Sequence, residues 1–313
     1  MSTRAFRIRH STYQCGLGVQ LATLQTRHLG GGWLACEDAG VTSTGPSFGS
    51  GFDRIISRAG HGDAVFGRDV LSALIEPLAE AAARPRSERS WGPGVLGCAM
   101  WMDDPELIEV LGRMANACIV ITKQQAKKYE KQEFALLEDL ASRTGLAQGA
   151  YGILEEMAPV VDGQPMVVGP FTRLPEETEI GAVRELGFRR VGNRLVPIMH
   201  AKMLLLGRMG WTDEHPSGHV MAIPYFVPER LWIDSANFTK SSRYSLEMGM
   251  WTTDPKLLKA AREWLLGLVA MSEPLRSGSD DADPELVPVV YDDAAILEYL
   301  REMGPDLYGA EDE

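Results

Sequence analysis

Apolar residues recur at the spacing of helices or strands over most of the chain after residue 66. Val70, Leu71, Leu74 and Leu78 return at intervals of three or four residues, which predicts an amphipathic helix over 69–83. Elsewhere, short continuous apolar runs predict buried strands. Further helices are predicted over 103–114, 123–142, 177–186, 254–271 and 293–303. Strands are predicted over 95–101, 117–122, 165–168, 198–206, 219–227, 231–233, 247–253 and 288–291.

Two Asp-Pro steps predict where helices begin. Asp104-Pro105 and Asp254-Pro255 each place an acidic residue immediately before a proline. Proline fits the first turn of a helix, and an acid is favoured at the amino end by the helix dipole. The order strand, helix, strand, helix between residues 95 and 142 then predicts an α/β domain in which neighbouring strands run parallel.

The composition changes along the chain and divides it into three parts. Residues 1–66 are rich in Gly and Ser and predict short strands between turns, with no assignable role. Residues 67–275 carry most of the predicted strands and helices and form the predicted main domain. Residues 276–313 predict an acidic linker, a last strand and helix, and a frayed acidic tail.

The bulk composition is that of an ordinary globular protein, with 45% hydrophobic and 24% charged residues. The four cysteines show no Cys-x-x-Cys spacing, and the first residues lack the apolar core of a signal peptide. No apolar run approaches the roughly 18 residues of a membrane span. These features predict a protein of the reducing cytoplasm with no membrane partner.

One apolar strand carries two residues that packing alone does not explain. His200 and Lys202 lie two residues apart in the run 198–206. In a strand, that spacing puts the imidazole and the ammonium group on one face. Burying a charged group is costly unless it is paired or used, so the two residues mark a candidate site. A pair that is merely satisfied within the core is the plain alternative.

A second apolar strand, 231–233, is followed by a small polar cluster. Ser235 and Asn237 lie in this cluster, and Glu247 begins the next predicted strand. Two apolar strands that end in compact polar groups predict one shared site. His, Lys, Ser, Asn and Glu are together the parts of a phosphoryl-transfer site without metal. For Glu247, the alternative is an ordinary strand residue that faces solvent.

The net charge of −12 and the pI near 5.1 restrict how nucleic acid could bind. A small nonspecific DNA-binding module is normally basic. If nucleic acid is the substrate, the groove must be locally positive or a partner protein must deliver the substrate. Arg189, Arg190 and Arg194 precede the His-Lys strand and are either a rim that guides phosphates or a solvated face.

Two further histidines allow a different kind of site. His215 and His219 are four residues apart and follow two acidic residues, so a zinc site can be imagined. Pro216 and Gly218 favour a loop here, which makes a solvated loop the better interpretation. No metal and no cofactor are therefore predicted.

The pattern resembles the signature of the phospholipase D superfamily. That signature is His-x-Lys, then Gly or Asn followed by Ser-x-Asn, then Glu about ten residues later. The chain has, in this order, His200-Ala201-Lys202, Ser235-Ala236-Asn237 and Glu247. The order of strands and helices around the motif is also similar, over roughly 67–271. The resemblance implies an α/β fold with a mixed sheet flanked by helices.

The resemblance also implies a role for each motif residue. His200 would attack phosphorus and form a phosphohistidine, while a second copy of His200 from another subunit protonates the leaving oxygen. Lys202 and Asn237 would grip the phosphoryl oxygens. Ser235 would help to hold the pocket, and Glu247 would accept a hydrogen bond from the imidazole and fix its tautomer. Such sites need no metal.

Two positions depart from the family pattern. The family often has Asp five residues after the lysine, where this chain has Gly207, and Gly before the serine, where it has Asp234. Glycine lets the backbone approach a phosphate closely, so activity requires the Asp234 carboxylate to point away from the anion. The interval between Lys202 and Ser235 is longer than usual and predicts an inserted loop around 207–219.

Single-motif, dimeric members of the superfamily are commonly nucleases, some of them in bacterial defence. The resemblance therefore implies a phosphodiesterase, an endonuclease on nucleic acid, with DNA favoured over RNA, and a homodimer. Two alternatives stay open. One is a phospholipid-headgroup enzyme, although the chain lacks a membrane segment, a basic amphipathic helix and a second motif. The other is a catalytically quiet binding subunit, which Asp234 would allow.

Overall fold

In the computed structural model, a mixed sheet joins most of the apolar runs. The structure describes residues 55–59, 62–85, 90–123, 131–160, 163–172, 179–187, 190–191, 194–195, 199–212, 223–275 and 285–303. Within them, the sheet has nine strands. Side by side, these are β1 (Ile55–Ala59), β2 (Gly62–Gly67), β14 (Glu247–Thr252), β13 (Ile223–Asp234), β12 (Met203–Thr212), β3 (Ser90–Ala99), β4 (Asn116–Thr122), β9 (Val183–Leu186) and β15 (Glu273–Pro274).

The remaining strands form two-stranded ladders around this sheet. They pair β5 (Gly145–Ala147) with β8 (Glu179–Gly181), β6 (Met157–Pro159) with β16 (Leu286–Pro288), β7 (Val167–Val168) with β17 (Val290–Tyr291), and β10 (Arg190–Val191) with β11 (Arg194–Leu195). The helices are α1 (Val70–Ala82), α2 (Pro105–Leu111), α3 (Lys131–Arg143), α4 (Pro255–Met271) and α5 (Asp293–Met303). All described residues belong to one compact unit.

Three neighbouring strands of the sheet run parallel, and the other neighbours pair antiparallel. β3, β4 and β9 run parallel, as the alternation of strands and helices predicts. β12 is antiparallel to both β3 and β13, and β14 is antiparallel to both β13 and β2. The predicted α/β fold, a mixed sheet flanked by helices, is confirmed.

Helices cover the sheet on both faces. One buried apolar cluster joins the sheet to α1, α2 and α3, and a second joins it to α4. Strand alternation explains this division, since Leu204 and Leu206 of β12 belong to the first cluster and Leu205 to the second. None of the described helices is long and apolar enough to cross a membrane.

Most predicted elements are confirmed within a few residues. The helices predicted over 254–271 and 293–303 are α4 and α5, and the one over 69–83 is α1. Asp104 and Asp254 cap α2 and α4 by accepting backbone hydrogen bonds from Leu107 and from Lys256 and Leu257, respectively.

The helix predicted over 177–186 is wrong, because this segment contributes β8 and β9. Arg184 and Glu185, which suit the polar face of a helix, are buried in the strand. Arg184 Nε donates to Ser272 Oγ at 2.6 Å, and Nη1 donates to Glu285 at 2.8 Å. A buried charge is tolerated when it finds partners, and these partners are remote in sequence.

The loop predicted around 207–219 is also wrong over its first part, which belongs to strand β12. β12 continues through Thr212 and pairs with the first half of β13, so the interval between the two motif halves is an extended hairpin. Gly207 lies at a bulge of this hairpin, and a Cβ there would meet the Val227 carbonyl and the Phe226 ring. The position where the family often has Asp therefore has no room for a side chain. Residues 213–222, with His215 and His219, lie outside the described residues.

The sheet extends into the amino-terminal segment set apart by composition. β1 and β2 come from residues 55–67, and β2 pairs with β14 from Gly62 to Gly67. The sheet thus includes strands from before residue 67, while residues 1–54 lie outside the described part. The division into three domains stays a prediction.

Candidate active site

The two halves of the motif meet at the ends of three adjoining strands. The backbone N–H of Asp234, at the end of β13, donates to the carbonyl of Lys202 at 3.0 Å. The N–H of Ser235 donates to the carbonyl of Met248 in β14 at 2.9 Å. The structure therefore brings Lys202, Ser235 and Glu247 together at one end of the sheet.

His200 and Lys202 contact each other directly. They lie in the segment that leads into β12 rather than within the strand. The Lys202 ammonium nitrogen is 3.1 Å from Nδ1 and 3.3 Å from Nε2 of His200, and donates to the His200 carbonyl at 2.9 Å. The imidazole is exposed while Lys202 is buried. An exposed ring can reach a substrate, and the buried ammonium is held beside it.

Burial and two nearby carboxylates act in opposite directions on the pKa of Lys202. Burial lowers the pKa of Lys202, and the charges of Glu247 and Asp234 offset part of this effect. The nearby acidic groups thus help the buried amine to keep its proton.

Ser235 and Glu247 form a short hydrogen bond across the site. Ser235 Oγ donates to Glu247 Oε2 at 2.5 Å and accepts from the N–H of Met248 at 3.0 Å. Among the residues that the structure describes, no hydrogen bond joins Glu247 to the His200 ring. Lys202, rather than Glu247, contacts the imidazole, so the role of Glu247 in fixing its tautomer stays a prediction.

Asn237 carries an unsatisfied polar atom. Its Oδ1 is buried, and no described group donates to it. Leaving such an acceptor without a partner costs about 1–3 kcal/mol, and an exception of this kind in a native fold calls for an explanation. A ligand group or a water that donates a hydrogen bond to Oδ1 is one.

Asp234, in place of the family glycine, uses both carboxylate oxygens within the turn. Oδ1 accepts from the N–H of Ala236 at 2.8 Å, and Oδ2 accepts from the indole of Trp232 at 2.9 Å. Gly249 on β14 makes room for that indole, because a Cβ there would meet the Trp232 ring. The carboxylate is thus directed to protein donors, which answers the question that the sequence raised.

Burial raises the pKa of Asp234 to about 7. The hydrogen bonds from Ala236 and Trp232 lower the pKa, and the nearby charge of Glu247 raises it again. Near neutral pH the neutral form of this carboxyl is therefore favoured more than for an ordinary aspartate, which reduces its repulsion of a bound anion.

An ion-pair cluster around Arg243 holds the loop that carries Asn237. Arg243 donates to both oxygens of Asp104, at 2.6 and 2.9 Å, and to Glu106 at 2.8 Å. It also donates to Asp69 at 3.2 Å. We call Arg243, Asp69, Asp104 and Glu106 the Arg243 cluster. The Arg243 cluster is not predicted by the sequence pattern, in which the one local signal is the helix cap at Asp104.

The predicted arginine rim is not tested by the structure. Arg190 and Arg194 belong to the ladder of β10 and β11, where only the backbone is described. Arg189 lies outside the described residues. In the described part of the chain, no group of three or more His, Cys, Asp or Glu side chains is arranged to hold a metal.

No protein-family model matches the chain, and a search of curated proteins finds no match. Among solved structures, the chain is similar to a member of the phospholipase D family. That structure is Nuc from Salmonella typhimurium, with a TM-score of 0.38 and 14% identity over 69% of this chain and 99% of Nuc. NucT from Helicobacter pylori has a TM-score of 0.38 and 12% identity, over 65% of this chain and 89% of NucT. Polyphosphate kinase from Porphyromonas gingivalis has a TM-score of 0.36 and 13% identity, over 65% of this chain and 25% of the kinase.

Proposed function

We propose that the protein is a metal-independent phosphodiesterase, a nuclease that cleaves nucleic acid through a phosphohistidine intermediate. One observation carries the proposal. An exposed imidazole lies in contact with a buried ammonium group, at the same strand ends as Ser235 and Glu247. This combination supplies a nucleophile and an anion-binding group at one point of the surface.

The first chemical step uses the lone pair of one His200 ring nitrogen. It attacks phosphorus, a P–N bond forms, and the P–O bond to the leaving group breaks. The leaving oxygen takes a proton from a second imidazole. Water then attacks the phosphohistidine, gives its proton to that second imidazole, and releases the phosphate product and free His200.

In this proposal, two side chains stabilise the charge that develops on the phosphoryl oxygens. Lys202 offers a fixed ammonium group beside the imidazole, and the proposal gives Asn237 the role of a second donor through its side-chain N–H₂ group, as the motif implies. Preorganised donors of this kind gain strength as negative charge builds in the transition state. Ser235, bonded to Glu247, keeps the β13–β14 end of the site in place.

A single chain supplies one such imidazole, so we infer that the second comes from another copy. The sequence has six histidines, and only His200 is followed by lysine two residues later. A twofold axis, the commonest symmetry of soluble assemblies, would place two His200 side chains on opposite sides of one phosphorus.

The direct test is cleavage of plasmid, single-stranded DNA, RNA and phosphatidylcholine by the purified protein, with and without excess EDTA. We expect nucleic acid to be cleaved equally in both conditions. His200→Ala should lose at least about a thousandfold in rate, which corresponds to roughly 4 kcal/mol of barrier. His215→Ala and His219→Ala should keep their activity, because the proposal gives these residues no chemical role.

The other possible outcomes of these assays would favour different assignments. Full activity of His200→Ala would remove the nucleophile assignment. Loss of activity in EDTA, restored by zinc, would favour the alternative site at His215 and His219. Cleavage of phosphatidylcholine alone would identify a headgroup enzyme, and failure to cleave any substrate would identify a binding subunit.

A further inference from the structure

A partly exposed tryptophan stands beside the candidate phosphate-binding asparagine. Trp101 follows the end of β3 and has 43% of its surface exposed. Its carbonyl accepts a hydrogen bond from the N–H of Phe238 at 3.1 Å, and the N–H of Asp103 donates to the Phe238 carbonyl at 3.0 Å. Residues 101–103 thus pair through their backbone with the segment that contains Asn237.

The register of this short ladder places the two side chains together. Met102 and Phe238 form a parallel bridge, and both are buried in the core. Successive side chains along an extended segment point to opposite sides. Trp101 and Asn237, each one residue earlier, therefore point together to the side away from the core. The indole of Trp101 and the side chain of Asn237 thus start from neighbouring backbone positions on the same side of this ladder.

Packing does not explain the position of Trp101. Trp232 and Trp251 lie in the core with ring centroids 5.3 Å apart, and their indole N–H groups donate to Asp234 and to the Ala73 carbonyl. Within the described part of the chain, Trp101 makes neither an indole hydrogen bond nor a ring contact. Its large apolar surface is available to a ligand.

The charge around the site limits what that ligand can be. Asp69, Asp103 and Glu106 lie at the same end of the sheet, and the chain as a whole carries a net charge of −12. Binding through many phosphate contacts requires a basic surface. Stacking of a base on an aromatic ring does not, because every base has a π-face.

We propose that Trp101 is the stacking surface for a base next to the scissile phosphate, so that the substrate is single-stranded nucleic acid. In a duplex both faces of each base are covered by its neighbours, whereas an unpaired base can leave the stack and lie on the indole. This inference rests on the proposed function, since it names the substrate class of that site.

The test measures binding without turnover, in a His200→Ala background. Three labelled ligands with a binding segment of about six nucleotides are compared by fluorescence anisotropy: single-stranded oligothymidylate, the same segment paired within a longer and stable hairpin, and an abasic strand with the same phosphates. The variants are Trp101→Ala, Trp101→Phe and, as a matched control, Trp264→Ala. Trp264 on α4 is also 43% exposed, and none of the residues of the site lies on that helix.

We expect Trp101→Ala to weaken binding of the single strand about tenfold, equal to about 1.4 kcal/mol, and to leave the abasic strand unchanged. Trp101→Phe should retain most of the affinity, and Trp264→Ala should retain all of it. An equal loss on the abasic strand, an equal loss on the duplex, or no loss at all would overturn the inference. So would a loss that affects phosphatidylcholine vesicles instead of the oligonucleotide.

Failure of this inference can be told apart from failure of the proposed function. If the wild-type protein cleaves nothing but binding still depends on Trp101, the enzyme assignment fails and the stacking surface stands. If the wild-type protein cleaves DNA and Trp101→Ala binds normally, the stacking surface fails and the enzyme assignment stands.

Discussion

At the scale of single residues, Asp234 shows how a departure from a motif can be accommodated. A free carboxylate beside a bound phosphate would oppose binding. Here the two oxygens accept hydrogen bonds from Ala236 and Trp232, and burial raises the pKa of the carboxyl to about 7. The carboxylate of Asp234 is thus used within the turn that follows β13.

The raised pKa predicts how stability changes with pH. In the unfolded chain the Asp234 carboxyl ionises near 3.8, but in the folded chain only near 7. The contribution of the protonated Asp234 carboxyl to the free energy of unfolding is therefore fully present below pH 3.8. It is lost as the pH rises through 7. Relative to wild type, the unfolding free energy of Asp234→Asn should rise between these pH values and then level off.

Chemical denaturation of both proteins at about pH 4, 5.5, 7 and 8.5 measures this difference. Asn lacks one acceptor oxygen, so the variant carries a constant penalty, and only the change with pH is diagnostic. Asp103→Asn serves as a control at the same end of the sheet and should not reproduce the Asp234→Asn curve. A difference between wild type and Asp234→Asn that stays constant with pH would contradict the raised pKa.

At the scale of elements, the Arg243 cluster joins a loop to the first turns of α1 and α2. The carbonyl of Arg243 also accepts from the N–H of Asp69, so both the backbone and the side chain hold the loop. Burial alone would raise the pKa of Asp104, but hydrogen bonds from Arg243 and from the N–H of Leu107 outweigh it and lower that pKa. The cluster thus fixes the loop between Asn237 and Glu247.

Arg243→Ala should lower the unfolding free energy by about 3 kcal/mol, because it leaves the buried Asp104 charge without its partner. Arg243→Lys should lower the unfolding free energy by less, since lysine keeps the charge but cannot make the bidentate contact with Asp104. Denaturant titration measures both effects. The same Arg243→Ala change in an Asp104→Asn background should cost clearly less, because no unpaired charge then remains.

Arg143→Ala provides the matched control for this prediction. Arg143 also contacts two acids, Glu109 and Asp139, but both carboxylates are more than half exposed. Exposed pairs contribute about 0–1 kcal/mol, so this variant should be nearly neutral. Equal losses for Arg243→Ala and Arg143→Ala would show that the Arg243 cluster is no more than a surface ion pair.

At the scale of the whole molecule, the candidate site is half of what the proposed chemistry needs. One imidazole must attack and another must protonate the leaving oxygen. His200 alone among the histidines has the His-x-Lys context. The active form is therefore expected to contain two copies of the chain.

Size-exclusion chromatography with light scattering should give about twice 34.4 kDa, or a multiple of that value. Specific activity should fall on dilution, because dissociation separates the two imidazoles. A stable monomer with full activity would contradict the two-copy site. The second acid would then come from within one chain, with His215 or His219 as the first variants to make.

The sequence by itself determined the main elements and the chemical groups of the site. Helix and strand periodicity and the Asp-Pro caps are local signals, so α1, α4, α5 and the central strands could be predicted. His200 and Lys202 were visible because polar groups in an apolar run are costly unless they are used.

Only the tertiary structure decided which distant groups meet. Arg184 could enter a buried strand because Ser272 and Glu285 lie beside it, and the predicted loop after Gly207 could become a hairpin because β13 pairs with it. The direction of the Asp234 carboxylate and the position of Trp101 beside Asn237 depend likewise on neighbours remote in the chain. Local pattern carries no information about such partners, since hydrogen bonds and burial arise between segments that the sequence keeps apart.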